Sequence, residues 1–305
     1  MNIPYEFGYL QQDPSEATHG TEMKAAGKGF ALITGASRGI GKGFAKECAC
    51  MGYDLALVSL DGDGLPELAA ELVGRFKVAV KTLETDLADA DAANVVMDWV
   101  ETEGLQITLL VNNAGLGSVG PFDATDQRKH AAMLTLNMQT PYFLMRRLMP
   151  MLQQQDQAYV INISSQAAFY PIPFKATYSA SKSFLMYLSL STEYELRGSN
   201  VHVCVVCPSG VKTSPAIRER IESAGLLSRL VALEPEDVAK ISLRNALKKR
   251  RLIIPGTLNR MSYYATLMLP DFVKMAFIAS KLKKNQFDTP EPSYQQNLGT
   301  PISNG

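Results

Sequence analysis

The sequence predicts an α/β fold: a doubly wound parallel sheet of about seven strands with helices on both faces. Three observations carry that reading. Short β-like runs alternate with helical patterns from residue 29 to about residue 255, the order that a parallel sheet with crossover helices requires. The runs are largely apolar on both faces, as strands covered by helices on each side must be. A glycine-rich turn follows the first run directly and opens a helical pattern.

In chain order the runs are "FALIT" from Phe30, "DLALVSL" from Asp54, "KVAVKTL" from Lys77, "ITLLVNNAG" from Ile107, "AYVINIS" from Ala158, "VHVCVVC" from Val201 and "RLIIPG" from Arg251. No internal repeat and no boundary interrupts them. A single nucleotide-binding domain is expected over residues 29–283, with a substrate lid and a C-terminal segment. Residues 1–28 form a polar N-terminal extension and 284–305 a polar tail, both dotted with Pro and Gly and without a core of their own. With 305 residues, 46% of them hydrophobic, the chain can bury one sizeable core.

Thirty basic residues face thirty acidic ones, so no global charge recruits nucleic acid or an anionic membrane. The cysteines fall in two close pairs, Cys48 with Cys50 and Cys204 with Cys207. Two apart in a helix, side chains diverge; three apart in a strand, they face opposite sides. Buried small hydrophobes in a reducing compartment are therefore expected, and no metal. The first residues lack the pattern of a secretory signal, and no run of 18 apolar residues occurs, so the expected location is cytoplasmic.

Directly after the first run stands "TGASRGIG", Thr34 to Gly41. Gly35, Gly39 and Gly41 let the backbone turn sharply from strand to helix and approach a pyrophosphate, which then faces helix N-terminal amides. The end of the second strand reports on the adenosine ribose, and Ser59 there is neutral and able to donate a hydrogen bond. Arg38 could lie over a 2′-phosphate, whereas Asp61 and Asp63 would oppose one. The balance favours NADP over NAD, with NAD kept open. Further on, "ATYSASKSFLMY" puts Tyr178 and Lys182 one helical turn apart on one face, where their polar ends can serve one pocket. The three histidines, His19, His130 and His202, lack a partner pattern and read as surface or core residues.

These residues together resemble the short-chain dehydrogenase/reductase family. The resemblance rests on "TGASRGIG", "NNAG" at 112 to 115, Asn137 in "LTLNMQTPYF", Ser165 in "INISSQAAF", and Tyr178 with Lys182 in "YSASK", all in the family's order. It implies a Rossmann-like fold and an NADP(H)-dependent oxidoreductase that interconverts a carbonyl and a secondary alcohol. Tyr178 would be the proton donor, and Lys182 would lower its pKa and grip the nicotinamide ribose. Ser165 would hold the substrate oxygen, and Asn137 would bind a water that relays protons to Lys182. Cofactor contacts carried over by the resemblance are Gly35, Ser37, Arg38, Gly39, Ile40, Gly41, Ser59, Asp86, Leu87, Asn113, Ala114, Gly115, Tyr178, Lys182, Pro208, Val211 and Thr213. In "CPSGVKT", Ser209 stands where the family usually has its first glycine, which puts the local turn in question.

Ser165, Phe169 and Tyr178 are the expected substrate contacts. Phe169, Tyr170, Ile172 and Phe174 make the loop from 166 to 175 apolar, which suggests a greasy or acyl substrate. The segment also resembles, more loosely, family members that reduce 3-oxoacyl chains or ketosteroids. After the last strand, "TLNRMSYYATLMLPDFVKMAFIASKLKK" is expected to act as a lid or an oligomer contact in a dimer or tetramer rather than as an interfacial membrane helix, because Pro270, Asp271 and Lys274 interrupt it. Two rivals remain: a catalytically silent nucleotide-sensing protein, and an NAD-dependent alcohol dehydrogenase of the same fold. The first would have lost Tyr178, Lys182 or Ser165, and none is lost.

Overall fold

The computed structural model describes residues 29–223, 225–267, 269–270 and 272–276, so the predicted extension (1–28) and tail (284–305) lie outside the described residues. All seven runs form strands of one sheet: β1 (Phe30–Thr34), β2 (Asp54–Ser59), β3 (Val80–Glu84), β4 (Ile107–Asn112), β5 (Ala158–Ile163), β6 (Val201–Val206) and β7 (Leu252–Ile253). Their order is β3-β2-β1-β4-β5-β6-β7, and every pairing is parallel. The order reverses between β1 and β4. A crevice opens there at the carboxyl ends of the strands, the place where doubly wound sheets bind their ligands.

The period of two along each strand explains why the runs are apolar throughout. In β1, Leu32 packs into one core layer with Val58, Val96, Leu110 and Leu148, while its neighbour Ile33 packs into the other with Phe44, Leu57, Leu72 and Leu243. Each such side chain, fully buried, contributes about 1.5–3 kcal/mol. The helices are α1 (Gly39–Cys50), α2 (Leu65–Phe76), α3 (Ala92–Thr102), α4 (Gln127–Leu134), α5 (Thr140–Gln153), α6 (Ala176–Glu195), α7 (Pro215–Ser223), α8 (Leu226–Val231), α9 (Pro235–Leu247) and α10 (Thr257–Leu267), of which α1, α2 and α9 pack into the layer of Ile33 and α3, α5 and α6 into that of Leu32.

Two sequence expectations need correction. The run containing β3 is not covered on both faces: β3 is an edge strand paired only to β2, and Lys81, Thr82 and Glu84 are exposed. A charged edge is what an unpaired strand margin tolerates. Among the cysteines Cys48, Cys204 and Cys207 are buried, but Cys50 is exposed, because two residues on from Cys48 the helix has turned to its solvent side.

Candidate active site

The turn after β1 and the turn after β4 are sewn together before any ligand arrives. Thr34 Oγ1 accepts hydrogen bonds from the backbone N–H of Asn113 (2.9 Å) and Ala114 (3.1 Å) and donates to the carbonyl of Val111. Asn113 Nδ2 returns bonds to the carbonyls of Thr34 (2.9 Å) and Gly35 (3.1 Å). This crowding is why Gly41 must lack a side chain: a Cβ there would lie 2.0 Å from the Gly35 oxygen and 2.6 Å from Asn113 Nδ2. The result is a backbone-lined cradle at the N-terminus of α1, with Ser37 buried in it and Ile40 packed on the core behind.

Around this cradle the other expected contacts take their places. Arg38 is exposed and reaches Asp63 at 3.5 Å, a long surface pair. Ser59 is 2% exposed, and its hydroxyl donates to the carbonyl of Leu60. Asp86 is exposed, its Oδ1 accepting from Ala88 N, while buried Leu87 is tied through its carbonyl to Thr140 Oγ1 at 2.8 Å. On the far side, the Pro208 carbonyl accepts from Gln166 N, Val211 bridges to Leu233, and Thr213 lies against Gly39. Neither Ser209 nor Gly210 has positive φ. The turn thus needs no glycine at 209, and the departure seen in the sequence carries no backbone strain.

Tyr178, Lys182, Ser165 and Asn137 converge from three elements. Ser165 ends β5 and opens a short 3₁₀ turn, Gln166–Ala168, its Oγ accepting from Ala167 N. Its side chain acts on the Tyr178 hydroxyl, favouring the ionised phenol. Lys182 is 5% exposed and donates through Nζ to the Ile163 carbonyl at 3.0 Å. Its Nζ stands 6.0 Å from the centroid of the Tyr178 ring. Asn137 sits in a π-helical turn, Thr135–Gln139, where its side chain accepts from Leu116 N and donates to Leu116 O and Ser181 Oγ. Gly115 fits between the two groups: a Cβ there would meet Asn137 Oδ1 at 3.0 Å and Lys182 Nζ at 3.2 Å.

Small serines let α6 lie this close to β5. Ser164 Oγ donates to the Lys182 carbonyl at 2.8 Å, Ser181 to that of Tyr178, and Ser183 to those of Ala168 and Ser179. Burial then sets the electrostatics. It lowers Lys182 from 10.5 to about 8, against a small opposing pull from neighbouring Cys207. Burial also raises the Tyr178 phenol above its ordinary value, and the neighbouring Ser165 side chain only partly offsets this. The sequence predicts an ammonium pulling the phenol down; here desolvation wins, and the phenol is held protonated.

Three features were missed in the sequence. Asn112, Asn162 and Ser189 form a buried ladder across β4, β5 and α6, with links of 2.8 Å each; the only signal was an asparagine inside each of two apolar runs. Asn259 is 2% exposed and anchors α10 by donating to the carbonyls of Val231 and Pro255, while its own carbonyl accepts from Gln166 Nε2. Phe169, expected at the substrate, rests its ring on Tyr263 of α10 at 4.2 Å. A small pocket beside Tyr178 is lined by Ser118, Gly120, His130, Phe174 and Thr177. His130 there stacks on Phe122, and His202 is buried and paired with Glu193 at 2.9 Å.

Comparison with known proteins follows the same lines. The model of the short chain dehydrogenase family matches residues 29–223. A very-long-chain 3-oxoacyl-CoA reductase of Pyrenophora tritici-repentis is 38% identical over 184 residues, covering 58% of this chain and 53% of that protein. The chain thus spans little more than half the length of that curated relative. Among solved structures, a 7β-hydroxysteroid dehydrogenase superposes with a TM-score of 0.75 at 26% identity, over 82% of this chain and 96% of the other. A short-chain dehydrogenase from Sphingobium yanoikuyae, solved with NADPH, does so at 0.66 and 28%, over 87% and 99%.

Proposed function

This chain belongs to the short chain dehydrogenase family, and from that premise we propose that it is an NADP(H)-dependent oxidoreductase interconverting a carbonyl and a secondary alcohol on an apolar or acyl-type substrate. One arrangement carries the reading: Tyr178 and a buried Lys182 one helical turn apart on α6, with the Ser165 side chain favouring the ionised phenol, at the mouth of a cleft whose other end is a backbone cradle for phosphates. Named relatives that reduce 3-oxoacyl-CoA and neighbours bound to NADPH support the substrate class and the cofactor.

The residues present fit a dinucleotide. The backbone turns through positive φ at Gly35 and Gly39 straight into the N-terminus of α1, whose first amides are the donors a pyrophosphate would accept. When bound, the nicotinamide supplies or takes the hydride. The protein does the rest. Ser165 and Tyr178 together hold the substrate oxygen, so negative charge developing there meets two donors already in place. Tyr178 gives its proton to that oxygen, and its raised pKa keeps the proton available near neutral pH. Lys182, held between Ile163 O and Gly115, faces the phenol and supplies positive charge as the proton leaves. With its side chain spent on Leu116 and Ser181, Asn137 fixes the β4 turn against α6, and any water in a proton relay is held by the main chain of the π-turn.

The test is a panel of 3-oxoacyl thioesters, ketosteroids and short ketones, assayed by loss of nicotinamide absorbance with NADPH and NADH in parallel. Reduction of an apolar ketone that prefers NADPH is the expected result. Turnover of none of them with either cofactor, in protein shown to bind NADPH, would overturn the reading in favour of a silent sensor.

A further inference from the structure

We propose that the outward face of α10, with the short helical turn after it, is a docking surface for an anionic lipid bilayer. The argument starts from the helix's two faces. At about 100° per residue, Asn259 and Tyr263 point to one side, and these are its buried residues, at 2% and 5% exposed. Leu258, Met261 and Tyr264 span the opposite side at 50%, 63% and 48% exposed. Large apolar side chains on the side of a helix away from its core need a partner of their own. Beyond α10 along the chain, Leu269 and Phe272 are exposed as well, Phe272 at 74%.

Charge identifies the occupant. Whereas the whole chain balances 30 cations with 30 anions, residues 257 to 284 carry Arg260, Lys274, Lys281, Lys283 and Lys284 against the single Asp271. A stretch of sequence that joins apolar residues to such an excess of cations matches a bilayer with anionic headgroups. A second copy of this chain would bring the same cations against themselves across a two-fold axis. The polar tail from 285 onward, "NQFDTPEPSYQQNLGTPISNG", has no apolar run to cover the face.

The surface is built onto the cleft. Tyr263 stacks on Phe169, Gln166 Nε2 donates to the Asn259 carbonyl, and Lys274 lies over the Tyr170 ring at 5.9 Å. All three partners belong to the loop that separates Ser165 from Tyr178. A long-chain substrate can therefore leave its tail in the bilayer while its carbonyl reaches the site, which extends the acyl reading above. Docking itself does not depend on that reading. The interruption at Pro270 and Asp271, which argues against a continuous interfacial helix, does not remove the surface. It divides it into α10 and the turn at 272–276.

The experiment is sedimentation of the full-length protein with phosphatidylcholine vesicles and with vesicles also containing phosphatidylglycerol, at low and high salt. The expected result is pelleting with the anionic vesicles, weakened by salt. The triple variant Leu258→Ser, Met261→Ser, Phe272→Ser should reduce the pelleted fraction about tenfold with NADPH binding intact. Should that variant fold poorly, the triple variant Lys281→Glu, Lys283→Glu, Lys284→Glu must show the same loss. Absence of pelleting in the wild type, or equal pelleting by folded variants, overturns the proposal. So does light scattering that shows a wild-type dimer turned monomer by the first variant without vesicle binding. Sedimentation needs no turnover, and turnover of a short soluble ketone needs no bilayer, so either can fail alone.

Discussion

The two ends of the cleft are made of different material. At the β1 and β4 turns no ionisable group takes part in the scaffold: the uncharged side chains of Thr34 and Asn113 tie main-chain amides and carbonyls of the two loops together, and Gly41 lets them pack closely. At the β5 end, the contacts are side chains taken out of water: Lys182 lowered, Tyr178 raised, Asn137 saturated by its neighbours. Backbone amides cannot titrate, so the first end can hold a ligand but not exchange protons with it. The second end can, because burial has already moved its groups away from their ordinary proton affinities. Substitutions at one end should change affinity, and at the other rate and pH dependence.

The sharpest way to break that division is Tyr178→Phe. The ring keeps its packing while the proton donor goes, so carbonyl reduction should fall about 10²–10⁴-fold. NADPH affinity, read by fluorescence titration, should stay within a factor of about two. Turnover within a few-fold of wild type would remove Tyr178 from the chemistry. A large loss of affinity would show that the two ends are not separable.

The same division explains what could be read from sequence. "TGASRGIG" and "NNAG" are local: strand, turn and helix follow one another, and the glycines announce a close approach. The seven strands were equally legible, since apolar runs between helical patterns admit few other folds. Side chains that meet across the chain were not. Nothing around Asn112 announces that it pairs with Asn162, fifty residues away, or that Asn259 is tied to Gln166, 93 residues away. Nor does composition tell an edge strand from a central one: β3 carries a similar apolar alternation but meets a neighbour on one side only. Nor does the sequence show that Phe169, read as a substrate contact, rests on Tyr263, which arrives from the last helix.

Lys182→Met tests whether the second end is held at a cost in stability. A lysine moved from 10.5 to about 8 carries about 3 kcal/mol of burial penalty while protonated, and losing the bond to Ile163 O offsets about 1 kcal/mol of the relief. Below pH 8 both folded and unfolded chains hold the proton, so the whole penalty applies. From about 8 to 10.5 the folded chain releases it while the unfolded chain keeps it, and wild-type stability rises. The variant, without nicotinamide, should therefore melt several degrees higher at pH 7, by an advantage that shrinks toward pH 10, and it should be inactive. A melting temperature below wild type at pH 7 would show that Lys182 supports this end of the cleft rather than straining it.

At the first end, Arg38→Ala should weaken NADPH about ten- to a hundredfold, the worth of an arginine–phosphate contact at an exposed site, and leave NADH nearly unchanged. The complementary substitution, Ser59→Asp, is not a clean switch. Ser59 is 2% exposed with its hydroxyl bonded to Leu60 O, so an aspartate there would be forced into the fold rather than toward a ribose. Equal losses for the two cofactors would show that Arg38 shapes the loop instead of reading a phosphate.

The smallest effect concerns the partner that Arg38 has without ligand. Asp63 holds its guanidinium at 3.5 Å, with the arginine side chain 70% exposed, so the pair itself is worth about 0.2–1 kcal/mol. A 2′-phosphate would have to draw Arg38 away from that carboxylate and then sit close to its charge. Asp63→Asn removes both obstacles and keeps an acceptor for the arginine. NADPH should bind up to about fivefold tighter, NADH should not respond, and the gain should fade as salt rises, because both charges lie within reach of counterions. Titrating the two cofactors in parallel at low and high ionic strength gives the answer. Weaker NADPH binding in Asp63→Asn would mean that the carboxylate aims Arg38 at its target. The first end of the cleft would then depend on a pair of opposite charges, and not on Arg38 alone, to place the phosphate.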